Sequence, residues 1–234
     1  MKTTGLIDYF NTIKYDWKRD VEKLSIICHF TKTRVDPNKQ DGDMSFGHEQ
    51  CFLIKAIAKH IGAEKFFEIG TGRGTACYSV ALEDSVEEVV TVDIIPHAKK
   101  KTEAIGYREV EVSNEDIYGM IPFPEKEKIK FKHLSEVEFF EDKLEGEFDL
   151  AFIDGNHTDI DIIKEDFRIA NKLVREGGTI LFDDYHPKKF VVKEVVDKIV
   201  PEYNDFDFEL VCFHGHLFEK NRKVLDNGIV VVQK

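Results

Sequence analysis

From Lys65 onward the chain alternates short apolar runs with stretches long enough for helices. The runs are KFFEIG, EEVVTVDI, KIKFKH, FDLAFIDG and GTILFDD; helical patterns fall near residues 74–83, 96–105, 136–144, 159–174 and 188–200. A strand that is apolar on both faces needs cover on both faces. Helices inserted between such strands supply it, so this alternation specifies a doubly wound α/β domain with a mostly parallel sheet. The tail breaks the rhythm. FELVCFHGH and NGIVVVQK have no helix-length segment between them, which predicts a closing antiparallel hairpin at one sheet edge.

Ahead of this unit, Leu6, Phe10, Ile13, Trp17, Val21 and Leu24 step by three and four residues and predict one amphipathic helix. Its apolar face has two destinations, the chain's own core or a second subunit in a homo-oligomer. The polar segment TKTRVDPNKQDGDMSFG, residues 31–47, reads as a loop serving as a lid. A second helix over residues 49–60 is closed by Gly62. Residues 1–62 are taken as part of the same domain as residues 63–234. Residues 107–127, holding SNEDIYGMIPFPEKE, exceed an ordinary connection and read as an insertion.

Charge narrows the partners. A net charge of −12 and a pI near 5.3 argue against nucleic acid, because binders of a phosphate backbone display a basic face. The basic run HAKKK (residues 97–101) reads as a solvated helix surface. Cys28, Cys51, Cys77 and Cys212 form no CxxC pair, which leaves zinc ribbons and thioredoxin-like chemistry unsupported and fits a reduced cytoplasmic setting. No apolar run approaches membrane-spanning length, so no membrane partner is expected.

FFEIGTGRGTA follows a predicted strand and opens a predicted helix. Gly70, Gly72 and Gly74 allow a tight turn and let a ligand approach the backbone, and the helix start favours an anionic group. The next strand ends in Asp93, about where an acidic residue grips a ribose diol. The spacing is G-x-G-x-G preceded by Glu68, not the G-x-G-x-x-G of dinucleotide enzymes.

With these residues the chain resembles the class I S-adenosylmethionine-dependent methyltransferases. The resemblance implies a Rossmann-like, mostly parallel seven-stranded sheet with the C-terminal hairpin and an N-terminal helical extension. It also implies S-adenosylmethionine as cofactor, with Gly70, Thr71, Gly72 and Gly74 lining its methionine end. Glu68 would meet the ammonium group, Asp93 the ribose, and Leu134 and Ser135 the adenine.

At the following strand end stands DGNH, without the Pro-Pro-aromatic element of enzymes that methylate exocyclic amines of bases. Instead, carboxylates end two neighbouring strands: Asp154, then Asp183 and Asp184 of DDYHP. Converging carboxylates repel unless a cation lies between them, and hard oxygen donors suit Mg²⁺ first, then Ca²⁺ or Mn²⁺. The competing reading has Asp154 capping the next helix and one of the aspartate pair bound to a lysine. DG-x-H followed by DDY resembles the metal-dependent small-molecule O-methyltransferases of antibiotic and sugar biosynthesis. That likeness implies Asp154, Asp183 and Asp184 as metal ligands, and Asp154 as a cofactor neighbour as well. Related sequences place an acid where this chain has Asn156, so the base passes to His157 or His186, with His48 a further alternative.

The expected activity is methyl transfer from S-adenosylmethionine to a small-molecule hydroxyl, assisted by a divalent metal. A nicotinamide-dependent oxidoreductase would also use the glycine loop and Asp93. A cofactor-binding regulatory module without turnover is the third reading.

Overall fold

Near-continuous burial along the central apolar runs, covered on both faces by the helices between them, produces the layers of the computed structural model, which describes residues 1–31, 48–105, 108–203, 206–212, 217 and 228–234. The chain begins with β1 (Lys2–Gly5), α1 (Leu6–Thr12), a 3-10 turn and α2 (Val21–Thr31), and resumes with α3 (Glu49–Ile61). There follow β2 (Lys65–Ile69), α4 (Thr75–Ala81), β3 (Glu88–Asp93), β4 (Lys101–Ile105), β5 (Arg108–Val112), α5 (Asn114–Met120) and β6 (Ile129–His133). Next come α6 (Val137–Phe140), β7 (Phe148–Ile153), α7 (Ile160–Leu173) and β8 (Val174–Tyr185). A helical stretch, α8 (Val192–Glu194) and α9 (Val200–Tyr203) joined by a π turn, leads to β9 (Asp207–Cys212) and β10 (Gly228–Gln233).

The main sheet has the order β1-β9-β10-β8-β7-β2-β3-β6. Its five predicted runs pair in parallel, and β10 runs antiparallel to both β8 and β9. This is the expected doubly wound sheet with its C-terminal hairpin. It carries eight strands because Lys2–Gly5 adds itself in parallel to β9. That strand is too short and polar to be visible in the sequence pattern. Alternation assigns neighbouring side chains to opposite faces. Phe66 and Leu181 join α1–α4 in one core, while Phe67, Ile180 and Phe182 join α7 and the helical stretch after β8 in the other.

Two helical expectations change. The single N-terminal helix is broken, since Lys14 takes a left-handed conformation (φ 55°) and a 3-10 turn at Trp17–Asp20 intervenes. The three-and-four stepping survived because α1 and α2 bury Leu6, Phe10, Leu24 and Ile27 in the same core. Residues 96–105 form no helix; Lys101–Ile105 pair antiparallel with Arg108–Val112. The REVEV alternation of the partner strand, with Val112 buried and Val110 packed against the core, imposes the strand on a run of weak preference. The lid assigned to residues 31–47 lies outside the described residues beyond Thr31. The second helix ends as expected, with Gly62 left-handed at φ 64°. Among the described residues no helix is long and apolar enough to cross a membrane.

Buried charge ties the N-terminal part to the sheet layer. Lys55 Nζ on α3 lies 2.9 Å from Glu83 Oε2 and 3.3 Å from Asp20 Oδ2, all three shielded from water.

Candidate active site

Strand order reverses between β2 and β7, with β3 and β6 on one side and β8 on the other. In such sheets the carboxyl ends of the strands open into a crevice at that point. Gly70 N–H donates to Val92 O at 2.9 Å, and Asp154 N–H donates to Ile69 O at 2.8 Å, so the exits of β2, β3 and β7 are laced together. Gly70 sits at φ 94°, and a Cβ there would lie 2.2 Å from the Asp154 carbonyl oxygen. Gly72, at φ 53°, has nothing within 4 Å of a Cβ position. One glycine is required by the protein's own backbone; the other leaves room. Gly74 precedes α4 at its N-terminus.

Asp93 organises this loop. Its Oδ2 accepts from Gly72 N–H at 3.0 Å and its Oδ1 from Ile95 N–H at 2.8 Å. Each carboxylate oxygen retains a further lone pair. Asp93, Gly70, Gly72 and Asp154 line a cavity of about 330 Å³ together with Ile94, Leu134, Ile162 and Asp166. That volume lies in the range of small-molecule and cofactor sites. Ser135 faces the adjoining groove and is held through its Oγ by His133 Nδ1 at 2.7 Å.

Glu68 and Thr71 lie beneath the loop, outside the cavity lining. Glu68 is 1% exposed and accepts from Thr91 Oγ1 at 2.6 Å, and Thr91 in turn shares a hydrogen bond with Thr71 Oγ1 at 2.6 Å. Burial pushes the Glu68 carboxyl up to about 8, against the opposing effect of the Thr91 hydrogen bond. Between pH 4.5 and about 8 the unfolded chain releases this proton while the folded chain keeps it, so stability falls as pH rises across that window. Each pKa unit corresponds to about 1.4 kcal/mol. Glu68→Gln is therefore expected to flatten the decline and raise Tm at pH 8 relative to pH 5, read by calorimetry at both pH values. Equal slopes in both proteins would show that the buried acid is not the cause.

On the neighbouring strand ends, one ligand atom each from Asp154, His157 and Asp184 lies within 4.8 Å of the others, all half-buried. His157 Nδ1 is 3.2 Å from Asp184 Oδ2. Asp184 holds a left-handed backbone, φ 54°, a conformation Asp adopts more readily than most residues. Asp183 goes elsewhere: its Oδ2 accepts from Gln50 Nε2 at 2.6 Å. Strand alternation explains the parting, because Asp183 shares the face of Leu181, which α3 covers. Of the expected Asp154, Asp183 and Asp184, the structure brings Asp154 and Asp184 together with His157, while Asp183 bonds to the N-terminal layer.

Asp159, not Asp154, caps α7, accepting from Asp161 and Ile162 N–H. Asn156 Oδ1 takes the N–H groups of Thr158 and Asp159 at 2.8 and 2.7 Å and so serves the turn. His186 lies outside the trio; its Nδ1 accepts from Lys188 N–H at 3.1 Å. Phe190 stands between the two histidines, 5.2 Å from the His157 ring and 6.3 Å from that of His186. His48 is buried at the start of α3.

Residues 67–185 match the family described as a methyltransferase domain, a span that includes the glycine loop and all three strand-end carboxylates. The chain belongs to this methyltransferase family. Its fold is that of the class I S-adenosylmethionine-dependent O-methyltransferases. The O-methyltransferase TomG from Streptomyces achromogenes, solved in complex with SAM, superposes with a TM-score of 0.55 at 18% identity, covering 91% of this chain and 89% of that one. An O-methyltransferase from Bacillus cereus in complex with SAH gives 0.54 at 16% identity, covering 97% and 96%. An uncharacterized protein, R132, of Acanthamoeba polyphaga mimivirus is 35% identical over 86 residues, which span 33% of this chain and 38% of that protein.

Sequence reasoning passed over Asp166, Lys101, Ile94 and Ile162, all of which line the methyltransferase's cavity, and over Gln50. A signal for one of them existed. Asp166 falls on the apolar stripe of α7 with Ile163, Phe167 and Ala170, where a charge breaks the pattern.

Proposed function

We propose that this methyltransferase moves a methyl group from S-adenosylmethionine to a hydroxyl of a small molecule, with a divalent cation held by Asp154 and Asp184. The carrying observation is that Asp154 belongs both to the glycine-loop cavity and to the group formed with His157 and Asp184. Two carboxylates and an imidazole within 4.8 Å converge on one point, and bonds of about 2.1 Å, which span at most about 4.2 Å, would draw them slightly closer around an ion. When bound, the cofactor supplies a sulfonium methyl and the ion supplies charge that lowers a hydroxyl's pKa.

The chain's own groups do the positioning. Gly72 leaves room at the loop and Asp93 offers its remaining lone pairs to a diol. Phe190 and the two histidine rings form an aromatic wall beside the carboxylates, suited to a flat or catechol-like acceptor. The net charge of −12 supports a small acceptor rather than a nucleic acid. With His157 as third donor the set suits Mn²⁺; with Asp183 in its place an all-oxygen set suits Mg²⁺. The Gln50–Asp183 contact supports reading residues 1–62 as part of the catalytic unit.

One observation favours a second reading. His157 Nδ1 faces the Asp184 carboxylate, the arrangement of a histidine base oriented by an acid, which would accept the hydroxyl proton at Nε2 without a metal. The test is S-adenosylhomocysteine release with a panel of catechols and sugar diols, in EDTA and with Mg²⁺ or Mn²⁺ restored. The metal reading expects turnover lost in EDTA and recovered with the ion. Undiminished turnover in EDTA selects the histidine base, and failure to bind S-adenosylhomocysteine at all rejects methyl transfer.

A further inference from the structure

The cavity has two unlike ends. Gly70, Gly72, Asp93, Lys101 and Asp154 line the cavity alone, whereas Ile94, Leu134, Ile162 and Asp166 also line the adjoining groove and so mark the end that opens toward it. Asp166 is 3% exposed, and among the described residues its carboxyl makes no hydrogen bond or ion pair. A buried carboxyl without a partner is costly, and it stands here on the core-facing stripe of α7. The fold makes room for it: a Cβ on Gly155 would lie 3.0 Å from Asp166 Oδ2, so the glycine after Asp154 keeps the acid seated against the cavity. Burial pushes this carboxyl up to about 7, the neighbouring Glu165 adding to the effect.

Three apolar side chains around one lone acceptor are what a planar base with one exocyclic donor requires. The geometry points to Asp166 as the residue that reads the cofactor's base, its carboxyl accepting a hydrogen bond from the exocyclic amine of adenine seated among Ile94, Leu134 and Ile162. The inference rests on the S-adenosylmethionine reading and adds a residue to it. Position along the cavity agrees. If Asp93 takes the ribose and the glycine loop the amino-acid end, the base falls at the Asp166 end. Both protonation states of the carboxyl keep an oxygen able to accept, so recognition does not depend on ionisation.

The experiment is a double-mutant cycle by isothermal titration calorimetry. Wild type, Asp166→Asn and Asp166→Leu are each titrated with S-adenosylhomocysteine and with its analogue bearing unsubstituted purine, which lacks the amine. A hydrogen bond to such a group is worth about 1.5–3 kcal/mol, so wild type should bind the purine analogue about ten- to a hundredfold more weakly. Asp166→Asn, whose amide oxygen also accepts, should keep most of that preference. Asp166→Leu should lose it, binding the two within about threefold of each other by the same reckoning. Melting curves of the free proteins identify any variant that is not folded, and Asp166→Ala, which removes the acceptor without adding bulk and should lose the preference likewise, carries the comparison if Asp166→Leu is not. Amine sensitivity in Asp166→Leu equal to wild type, or no amine sensitivity in wild type that still binds S-adenosylhomocysteine, overturns the assignment alone. Wild type that binds neither compound overturns the cofactor reading as well.

Discussion

Asp184→Asn is expected to lower metal-stimulated methyl transfer by on the order of a hundredfold or more, while S-adenosylhomocysteine affinity stays within about threefold of wild type. The asymmetry comes from where the carboxylate sits. Asp184 meets His157 at 3.2 Å and shares the three-residue group with Asp154, but it is not among the residues lining the glycine-loop cavity. Asparagine preserves the shape and tolerates the left-handed backbone at φ 54°, so the fold should be retained and the lost quantity is charge. Three measurements check this. Mn²⁺ affinity followed by electron paramagnetic resonance should collapse, product release with a catechol acceptor should fall with it, and calorimetric titration with S-adenosylhomocysteine should not change. Wild-type Mn²⁺ affinity in Asp184→Asn would remove the residue from the ligand set. His157→Ala then separates the two roles of the imidazole: a ligand's loss weakens Mn²⁺ binding, whereas a base's loss lowers turnover and leaves the ion in place.

How far this site was legible depends on whether its residues are fixed by local pattern or by what the sheet brings together. EIGTGRG with Asp93 was readable because a strand, a tight glycine turn and a helix follow one another in the chain, and the acidic residue ends the very next strand. Asp154 and Asp184 were readable for the same reason, since both end strands that the alternating pattern already made parallel neighbours. Asp183 was not. Adjacent carboxylates look equivalent in a sequence, yet strand alternation sends one toward α3 and Gln50, which lies 133 residues earlier in the chain. The edge strand β1 and the β4–β5 hairpin escaped because a few polar residues become strands only when a partner offers its backbone. Asp166 lies between these cases. Its break in the stripe of α7 was visible, but the meaning of that break required the cavity.

Gly70→Ala should be the most damaging single change at the site, destabilising the protein by about 3–5 kcal/mol, the sum of a strained backbone and an overpacked contact. The contact is with backbone, not with a side chain that could turn away: the added methyl would lie 2.2 Å from the Asp154 carbonyl oxygen, 2.5 Å from its carbon and 2.7 Å from Gly155 N. Relief requires β2 and β7 to part at their ends, which loosens the Asp154 N–H to Ile69 O bond and shifts the carboxylate that belongs to both halves of the site. In a domain of this size each kcal/mol moves Tm by roughly 2–4 °C, so a fall on the order of 10 °C is expected. Gly72→Ala supplies the control. Its φ of 53° is strained for alanine by about 1–2 kcal/mol, but the methyl meets nothing within 4 Å. It should therefore fold with a small loss of Tm and show its effect in weaker S-adenosylhomocysteine binding, because the space it fills borders the cavity. Scanning calorimetry and ligand titration on the two variants separate a glycine kept for the fold from one kept for the ligand. Equal Tm values for Gly70→Ala and wild type would mean that β2 and β7 do not approach as closely as 2.2 Å implies.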